Sequence, residues 1–284
     1  MRVDSEIISL KSLIDDPDKT VRVAVRDRFL TRGETAVEQL ETLVKEEISE
    51  ERRLFYLEYI EDLKEEFIIE RIESYLKSPD PMLIDGLFLI SKAVDSLVDE
   101  VFFYTSLEML ADEIGVELSE EKTAIENVKI FNYIFFRRIG FKHCDTQIQK
   151  EENALINKVI DSRGGNPVAI SLLYFLLSRS VGLPIYPLCF PGGFVPVYMD
   201  SENKILFYLN IFKGGAIFLE DSLKQFFDDI GLVYSTDSLK IEQDRALVSI
   251  YAELLNYLYK SQNKNKISDR VERILMLFGE RRYL

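Results

Sequence analysis

The chain has 284 residues, 47% of them hydrophobic and 30% charged, so it can bury a sizeable core and is not disordered by composition. Its net charge of -14 argues against a general nucleic-acid or anionic-membrane binder, because phosphate contacts need a cationic face. The longest mostly apolar stretch, Pro167–Leu177, is about half of the roughly 20 residues that cross a bilayer. No cationic and apolar leader follows Met1, and two cysteines, Cys144 and Cys189, make no disulfide framework. We therefore predict a soluble, cytoplasmic protein.

The charge is unevenly distributed along the chain. Residues 1–122 contain 15 Lys and Arg against 31 Asp and Glu, a net charge of -16. Residues 123–284 contain 20 against 18, a net charge of +2. The first part therefore carries the whole acidic excess, and we expect it to offer a surface to a basic protein partner whose binding weakens with salt.

The acidic part predicts a series of helices separated by abrupt breaks. Apolar residues at helical spacing predict helices over about 7–14, 20–31, 34–48, 50–77 and 82–98, the fourth being one long helix or two shorter ones. Gly33 and the proline-containing run 78–81 mark two of the breaks. Helices with such Asp-Pro breaks resemble HEAT-type repeats, in which stacked hairpins share a core. An ordinary helical bundle remains the alternative.

The segment 50–77 also predicts which side chains are buried. Its apolar residues follow the i, i+4, i+7, i+11 spacing that places side chains on one helix face, namely Tyr56, Ile60, Leu63 and Phe67. Acidic residues fall on the opposite face, namely Glu58, Glu61, Asp62 and Glu65. We expect the first face to be buried and the second to be solvated.

The second part changes from a helical period to a period of two. One helix, with Val128, Phe131, Phe135 and Ile139 on one face, is predicted to end near Gly140, and two more are predicted over 152–161 and 167–181. The strands that follow are Ile185–Phe190, Phe194–Met199 and Ile205–Leu209. Helices over 223–227, 242–260 and 266–278 complete the chain. The expected fold is mainly α with an α+β core: a HEAT-like helical domain over 1–120, an α+β domain over 121–235 and a C-terminal helical pair over 236–284.

Short motifs between residues 131 and 218 occur in a distinctive order. They are Ile139-Gly140-Phe141, Glu152-Asn153-Ala154-Leu155, the run Val159 to Pro167, Ser171-Leu172, Gly182-Leu183-Pro184, Pro191-Gly192-Gly193-Phe194, Leu209-Asn210-Ile211-Phe212 and Gly214-Gly215. Each motif is short, but in this order they resemble the SirB-type family of transglutaminase-like proteins. The matching segment covers 88 of 284 residues. The resemblance implies that the α+β domain has a papain-like core.

The resemblance also implies where catalytic residues would stand. Active members of the wider superfamily use a Cys at a helix start, a His on a following strand and an Asp that orients the His. The corresponding positions here are Pro167, Gly193 and Asn210, and none of them supplies that chemistry. Proline at the first position is common among SirB relatives. We therefore predict degenerate catalytic positions and no catalytic residue.

Each of these residues also has a purely structural interpretation. Asn166 and Pro167 are typical of a helix start, where asparagine caps and proline needs no N–H partner. Gly192 and Gly193 suit a turn or bulge between strands, and Asn210 suits a cap or a hydrogen bond within the sheet.

Replacement nucleophiles and bases are poorly supported by the sequence. Cys189 lies in an apolar strand, where cysteine is usually a small buried hydrophobe. Ser171 lies one helical turn after Pro167, but a serine without a base is inert. His143 is the only histidine, and its polar loop suggests a surface residue.

No cofactor or metal site is predicted. One His and two Cys cannot supply a standard structural zinc site without carboxylates. Gly164 and Gly165 precede a helix without the Lys-Ser/Thr pair of a phosphate-binding loop.

Three functions from different classes remain open. The first is a noncatalytic protein-interaction or scaffold module, which the sequence favours. The second is a small-ligand or peptide binder that uses the vestigial catalytic cleft, with Asn166, Ser171, Cys189, Gly193 and Asn210 as binding candidates. The third is a thiol-dependent hydrolase or transferase with a relocated nucleophile.

Overall fold

The chain divides into two compact units, Met1–Ser74 and Tyr75–Leu284, in the computed structural model. The structure describes residues 3–144, 150–229, 231 and 239–279. The fold is mainly α with an α+β core, as the sequence predicts. The predicted domain boundary after residue 120 stays a prediction, and the one after residue 235 lies outside the described residues.

Four helices account for the first unit, the last of them ending just beyond it. They are α1 (Ser5–Lys11), α2 (Lys19–Arg32), α3 (Glu34–Lys45) and α4 (Glu50–Lys77). Helix α4 is continuous, which settles whether 50–77 forms one helix or two. Asp4 and Asp18 cap α1 and α2 by accepting hydrogen bonds from the Glu6 and Thr20 amides at 3.0 and 2.8 Å. The HEAT-like description of these helices stays a prediction.

The predicted buried face of helix α4 is confirmed, but its predicted solvated face is not solvated throughout. Tyr56, Ile60, Leu63 and Phe67 all belong to the core of the first unit. On the acidic face Glu58 is exposed, whereas Glu61 and Asp62 are half-buried and Glu65 is buried. The prediction was wrong for Glu65 because it shares a second buried stripe with Ile68 and Ile72, at i+3 and i+7.

Further helices surround the α+β core of the second unit. They are α5 (Leu83–Val94), α6 (Glu100–Gly115), α7 (Ala124–Tyr133), α8 (Glu151–Ala154), α9 (Ile156–Ser162), α10 (Pro167–Ser180), α11 (Leu223–Asp229), α12 (Asp244–Ser261) and α13 (Asn265–Phe278). A π-helical segment, Ile134–Arg138, continues α7. Helix α6 has no counterpart among the predicted elements. The predicted helix over 152–161 is divided into α8 and α9, because Leu155 has extended backbone angles.

A five-stranded antiparallel sheet positions the candidate site. The strands are β3 (Ile185–Phe190), β4 (Gly193–Met199), β5 (Ile205–Asn210), β6 (Ala216–Phe218) and β7 (Lys240–Ile241), in the spatial order β6-β5-β4-β3-β7. A tight hairpin places Phe190 opposite Gly193. Two further short strands, β1 (Lys142–His143) and β2 (Gly164–Gly165), form a separate parallel pair.

Helix α10 packs against β3 and is buried nearly all round. Every residue from 169 to 178 is buried, which explains why this segment is the longest apolar stretch of the sequence. The ring of Phe175 lies 5.5 Å from that of Phe194 on β4. Residues of α11, among them Phe226 and Phe227, pack with β3, β4 and β5 in a second cluster. Within the described residues, no helix has the length and apolarity to cross a membrane.

Candidate functional site

The start of α10 forms one wall of the candidate site. Asn166 is completely buried, and its side-chain oxygen accepts a hydrogen bond from the Ala169 amide at 2.9 Å. The backbone N–H of Asn166 in turn donates to the backbone carbonyl of Asn153 at 2.6 Å. Pro167 occupies the first helical turn, where a missing N–H costs nothing. The interpretation of Asn166 and Pro167 as a helix start is confirmed.

A cavity of about 250 Å³ opens between this helix start and the β3–β4 hairpin. We call it the apolar cavity; its wall consists of Pro167, Val168, Ser171, Phe190, Gly192, Gly193, Phe194, Pro196, Leu209, Ile211, Phe212 and Phe226. The fold thus brings together Pro167 and Gly193, the positions that the resemblance assigns to the nucleophile and the general base. Apolar side chains dominate the wall, so the cavity favours an apolar group.

The hairpin explains how the position of the missing base is filled. A Cβ atom added at Gly193 would lie 3.3 Å from Cε2 of Phe190, its partner across the hairpin. That separation is tighter than an ordinary van der Waals contact, so any larger side chain requires the Phe190 ring to give way. An aromatic ring therefore crowds the place from which an imidazole would start.

Asn210 holds a turn beside the cavity and does not line it. Its side-chain oxygen accepts from the Lys213 amide at 3.2 Å, and its carbonyl accepts from the Gly215 amide at 2.9 Å. Both hydrogen bonds shape the short 3-10 turn Ile211–Lys213. The interpretation of Asn210 as a cap is confirmed, and the turn directs Ile211 towards the cavity.

Of the other candidates, Ser171 lines the cavity and Cys189 does not. The Ser171 hydroxyl donates to the Pro167 carbonyl at 2.8 Å, within its own helix, and the residue is 3% exposed. Cys189 is completely buried on β3. Its side chain points to the sheet face opposite that of Phe190, because successive strand residues alternate. Asn166, Cys189 and Asn210 are therefore not wall residues, whereas Ser171 and Gly193 are.

The single histidine lies next to the cavity. The prediction that His143 lies in a surface loop was wrong, because His143 belongs to β1, pairs with Gly165 and is only partly exposed. Its ring stacks on Phe212 with centroids 5.4 Å apart, and Nε2 lies 3.1 Å from the Ile211 carbonyl oxygen. His143 is not among the residues that line the apolar cavity.

Sequence reasoning missed the aromatic residues that dominate the wall. Four phenylalanines belong to the wall: Phe190 on β3, Phe194 on β4, Phe212 on the 3-10 turn and Phe226 on α11. The period of two places Phe190 and Phe194 in predicted strands, but no local signal in the sequence shows that they share a cavity with Phe226. In the described part of the chain, no cluster of three or more His, Cys, Asp or Glu side chains could hold a metal ion.

Comparisons with known proteins agree with this architecture. A model of the transglutaminase-like superfamily matches residues 103–249. A protein named UPF0162 protein from Vibrio cholerae is 25% identical over 135 residues, which are 48% of this chain and 50% of the relative. Protein SirB1 of Salmonella typhimurium is 22% identical over 135 residues, with the same coverage. F-box only protein 21 of Homo sapiens is 23% identical over 158 residues, 47% of this chain and 25% of the relative.

The chain spans about half the length of the UPF0162 and SirB1 proteins that it matches. No solved structure matches. The matched segment 103–249 contains every wall residue of the apolar cavity, among them the start of α10 and the β3–β4 hairpin. This chain belongs to the transglutaminase-like superfamily, and its similarity to the UPF0162 and SirB1 proteins agrees with the SirB-type resemblance of its motifs.

Proposed function

We propose that this chain is a noncatalytic transglutaminase-like protein that binds a protein partner and holds an apolar side chain of that partner in the apolar cavity. The observation that carries the proposal is the composition of the cavity wall. Pro167 and Gly193 stand where a nucleophile and a base would be needed, and neither has a reactive group.

The other polar groups nearby do not restore the chemistry. Among the described residues of the wall, Ser171 has the only hydroxyl, and that hydroxyl is already bonded to the Pro167 carbonyl. A serine becomes a nucleophile when a neighbouring base takes its proton, and no His, Asp, Glu or Lys belongs to this wall. Cys189 is shielded from substrates by complete burial. These facts support the noncatalytic proposal over a relocated nucleophile.

The same wall supports binding of an apolar group. Four phenylalanine rings with Val168, Leu209 and Ile211 offer a concave apolar surface beside the hairpin. Removing such surface from water contributes about 25 cal/mol per Å², so one leucine-sized side chain supplies about 2 kcal/mol. That amount suits an anchoring contact within a larger protein interface.

The acidic first part of the chain supports a basic partner as a further element of the proposal. Residues 1–122 carry a net charge of -16, which favours association with cationic surfaces. A nonalysine peptide should bind, lose affinity with rising NaCl and bind the Cys189→Ala variant equally well. The cytoplasmic location remains a prediction from the sequence.

Titration with N-acetyl-leucinamide, followed by amide chemical shifts in the 15N-labelled protein, tests the cavity. We expect shifts at Val168, Phe194 and Ile211, because these residues line the apolar cavity. Val168→Phe should fill the cavity and weaken binding about tenfold, the equivalent of about 1.4 kcal/mol.

A matched control is Val101→Phe, since Val101 is 72% exposed on α6. This variant should leave the titration unchanged. Absence of shifts at the cavity residues, or equal binding by Val168→Phe and the unchanged protein, would contradict the proposal.

A further inference from the structure

A second cavity, of about 460 Å³, lies beside the apolar one and has an opposite character. We call it the basic cavity; its wall consists of Asn132, Tyr133, Phe136, Arg137, Phe141, Lys142, His143, Ile211, Lys213 and Gly214. Ile211 belongs to both walls, so the basic cavity borders the apolar one. Its volume lies in the range of small-molecule sites, roughly 300–1,000 Å³.

Three different elements each bring one cation to the basic cavity. Arg137 lies on the π-helical segment, Lys142 on β1 and Lys213 on the 3-10 turn. Among the described residues that form the wall, none is acidic. Like charges gathered in one concavity repel one another, and a bound anion would relieve that repulsion.

The ion pairs around the cavity leave two of these cations available. Arg138 pairs with Glu117 at 2.9 Å, whereas its neighbour Arg137 has no carboxylate partner in the described part of the chain. Lys142 likewise has no side-chain partner among those residues. Lys213 lies 3.4 Å from Asp229, but both side chains are largely exposed, and such pairs hold weakly.

Uncharged groups of the wall complete the recognition chemistry. Nδ1 of His143 is buried and has no hydrogen-bond partner within the described residues, while Nε2 faces the Ile211 carbonyl. Tyr133 and Phe136 add aromatic surface for an apolar ligand body.

We propose that the basic cavity binds the phosphate group of a small organic ligand. A phosphate monoester carries about -1.5 to -2 charge at neutral pH and three acceptor oxygens. It therefore matches one arginine and two lysines better than a ligand carboxylate would, because a carboxylate carries a single charge. This ligand is separate from the apolar side chain proposed for the neighbouring cavity, and its binding does not depend on that proposal.

Phenyl phosphate is the probe that tests this inference, by calorimetry and by amide chemical shifts of the full chain. We expect shifts at Lys142, Lys213 and Gly214. The double variant Arg137→Gln, Lys142→Gln should bind at least about tenfold more weakly, because charge-assisted hydrogen bonds are lost. Both side chains are exposed, so the variant should fold normally. Benzoate should bind more weakly than phenyl phosphate, and benzyl alcohol should not bind here.

Arg138→Gln is the matched control, since Arg138 is the paired neighbour of Arg137. It should leave the affinity for phenyl phosphate within about twofold. Equal weakening by Arg138→Gln and the double variant, or benzoate binding as tightly as phenyl phosphate, would overturn the proposal. Phenyl phosphate should bind Val168→Phe normally, so failure here is distinguishable from failure at the apolar cavity.

Discussion

The two compact units bury different kinds of residues. Of the ten polar or charged residues that are buried in the described part of the chain, nine lie in the second unit and only Glu65 in the first. The first unit is built on apolar stripes of four helices, and ion pairs such as Arg28–Glu6 lie on its surface. In the second unit some buried hydroxyls find partners far away in the sequence: Ser91 bonds the Tyr251 hydroxyl 160 positions later, whereas Ser171 and Ser178 bond carbonyls of their own helix. Local periodicity therefore determines the first unit, whereas long-range pairing determines the second and its cavities.

Tyr174 illustrates the long-range pairing and gives the largest expected effect. It is completely buried on α10, and its hydroxyl donates to Asn132, 42 positions earlier, at 2.6 Å. Tyr174→Ala should lower the free energy of unfolding by about 3–5 kcal/mol, because it leaves a cavity among aromatic rings. Tyr174→Phe should cost about 1–3 kcal/mol, because Asn132 loses its partner. Urea unfolding measures both.

Tyr133→Ala is the control for these substitutions, since Tyr133 is 60% exposed on α7. It should change stability by less than about 0.5 kcal/mol. A similar loss for Tyr133→Ala and Tyr174→Ala would show that burial does not distinguish these positions.

Alkaline pH should weaken the second unit more than the first. Burial raises the pKa of Tyr251 to about 12 and raises the pKa values of Tyr75, Tyr174 and Tyr259. In the first unit burial raises the pKa of Tyr59 to about 12. A tyrosine that ionises near pH 10 when unfolded but stays neutral when folded stabilises the fold below that pH and loses this contribution above it. Between about pH 8 and 11, the opening free energies obtained from hydrogen exchange, after division by the intrinsic base-catalysed rates, should therefore fall mainly in the described residues of the second unit.

Capping at the cavity rim should have a moderate effect. Asn166→Ala removes the acceptor for the Ala169 amide and should cost about 1 kcal/mol of stability. Asn166→Ser retains a capping oxygen and should recover most of that loss. Thermal unfolding of the pair measures this difference, and equal losses for both variants would contradict the capping role.

The surface ion pairs of the first unit should have the smallest effect. Hydrogen bonding to Arg28 lowers the pKa of Glu6, and hydrogen bonding to Lys11 lowers the pKa of Glu47. Carboxylates with lowered pKa values stabilise the fold above their unfolded pKa and lose that contribution as the pH falls. Glu6→Gln should shift thermal unfolding slightly at low salt and not at high salt. A shift that persists in high salt would require a contact other than charge pairing.

The sequence predicts well those elements that depend on local pattern. The strand Ile185–Phe190 agrees at both ends, because an apolar run between two turns has one simple interpretation. The start of α10 agrees because Asn166 and Pro167 form a local capping signal. Helix α4 agrees on its apolar face for the same reason.

The cavities are predicted less well because they depend on tertiary contacts. His143 looks like a surface residue in sequence, yet pairing of β1 with β2 brings it against Phe212, 69 residues later in the chain. Cys189 looks close to Gly193, yet strand alternation turns its side chain away from the face that bears Phe190. Neither outcome follows from residue type or spacing alone.

The measurement that tests the central claim most directly is alkylation of Cys144 and Cys189 by iodoacetamide, followed by peptide mass spectrometry between about pH 6 and pH 9. The claim is that the transglutaminase-like core contains no reactive nucleophile. Because Cys189 is completely buried, we predict that it stays unmodified in the folded protein and reacts only after unfolding in urea, while the partly exposed Cys144 reacts earlier. Rapid modification of Cys189 at neutral pH in the folded protein would contradict the claim and restore the thiol-dependent enzyme as the better interpretation.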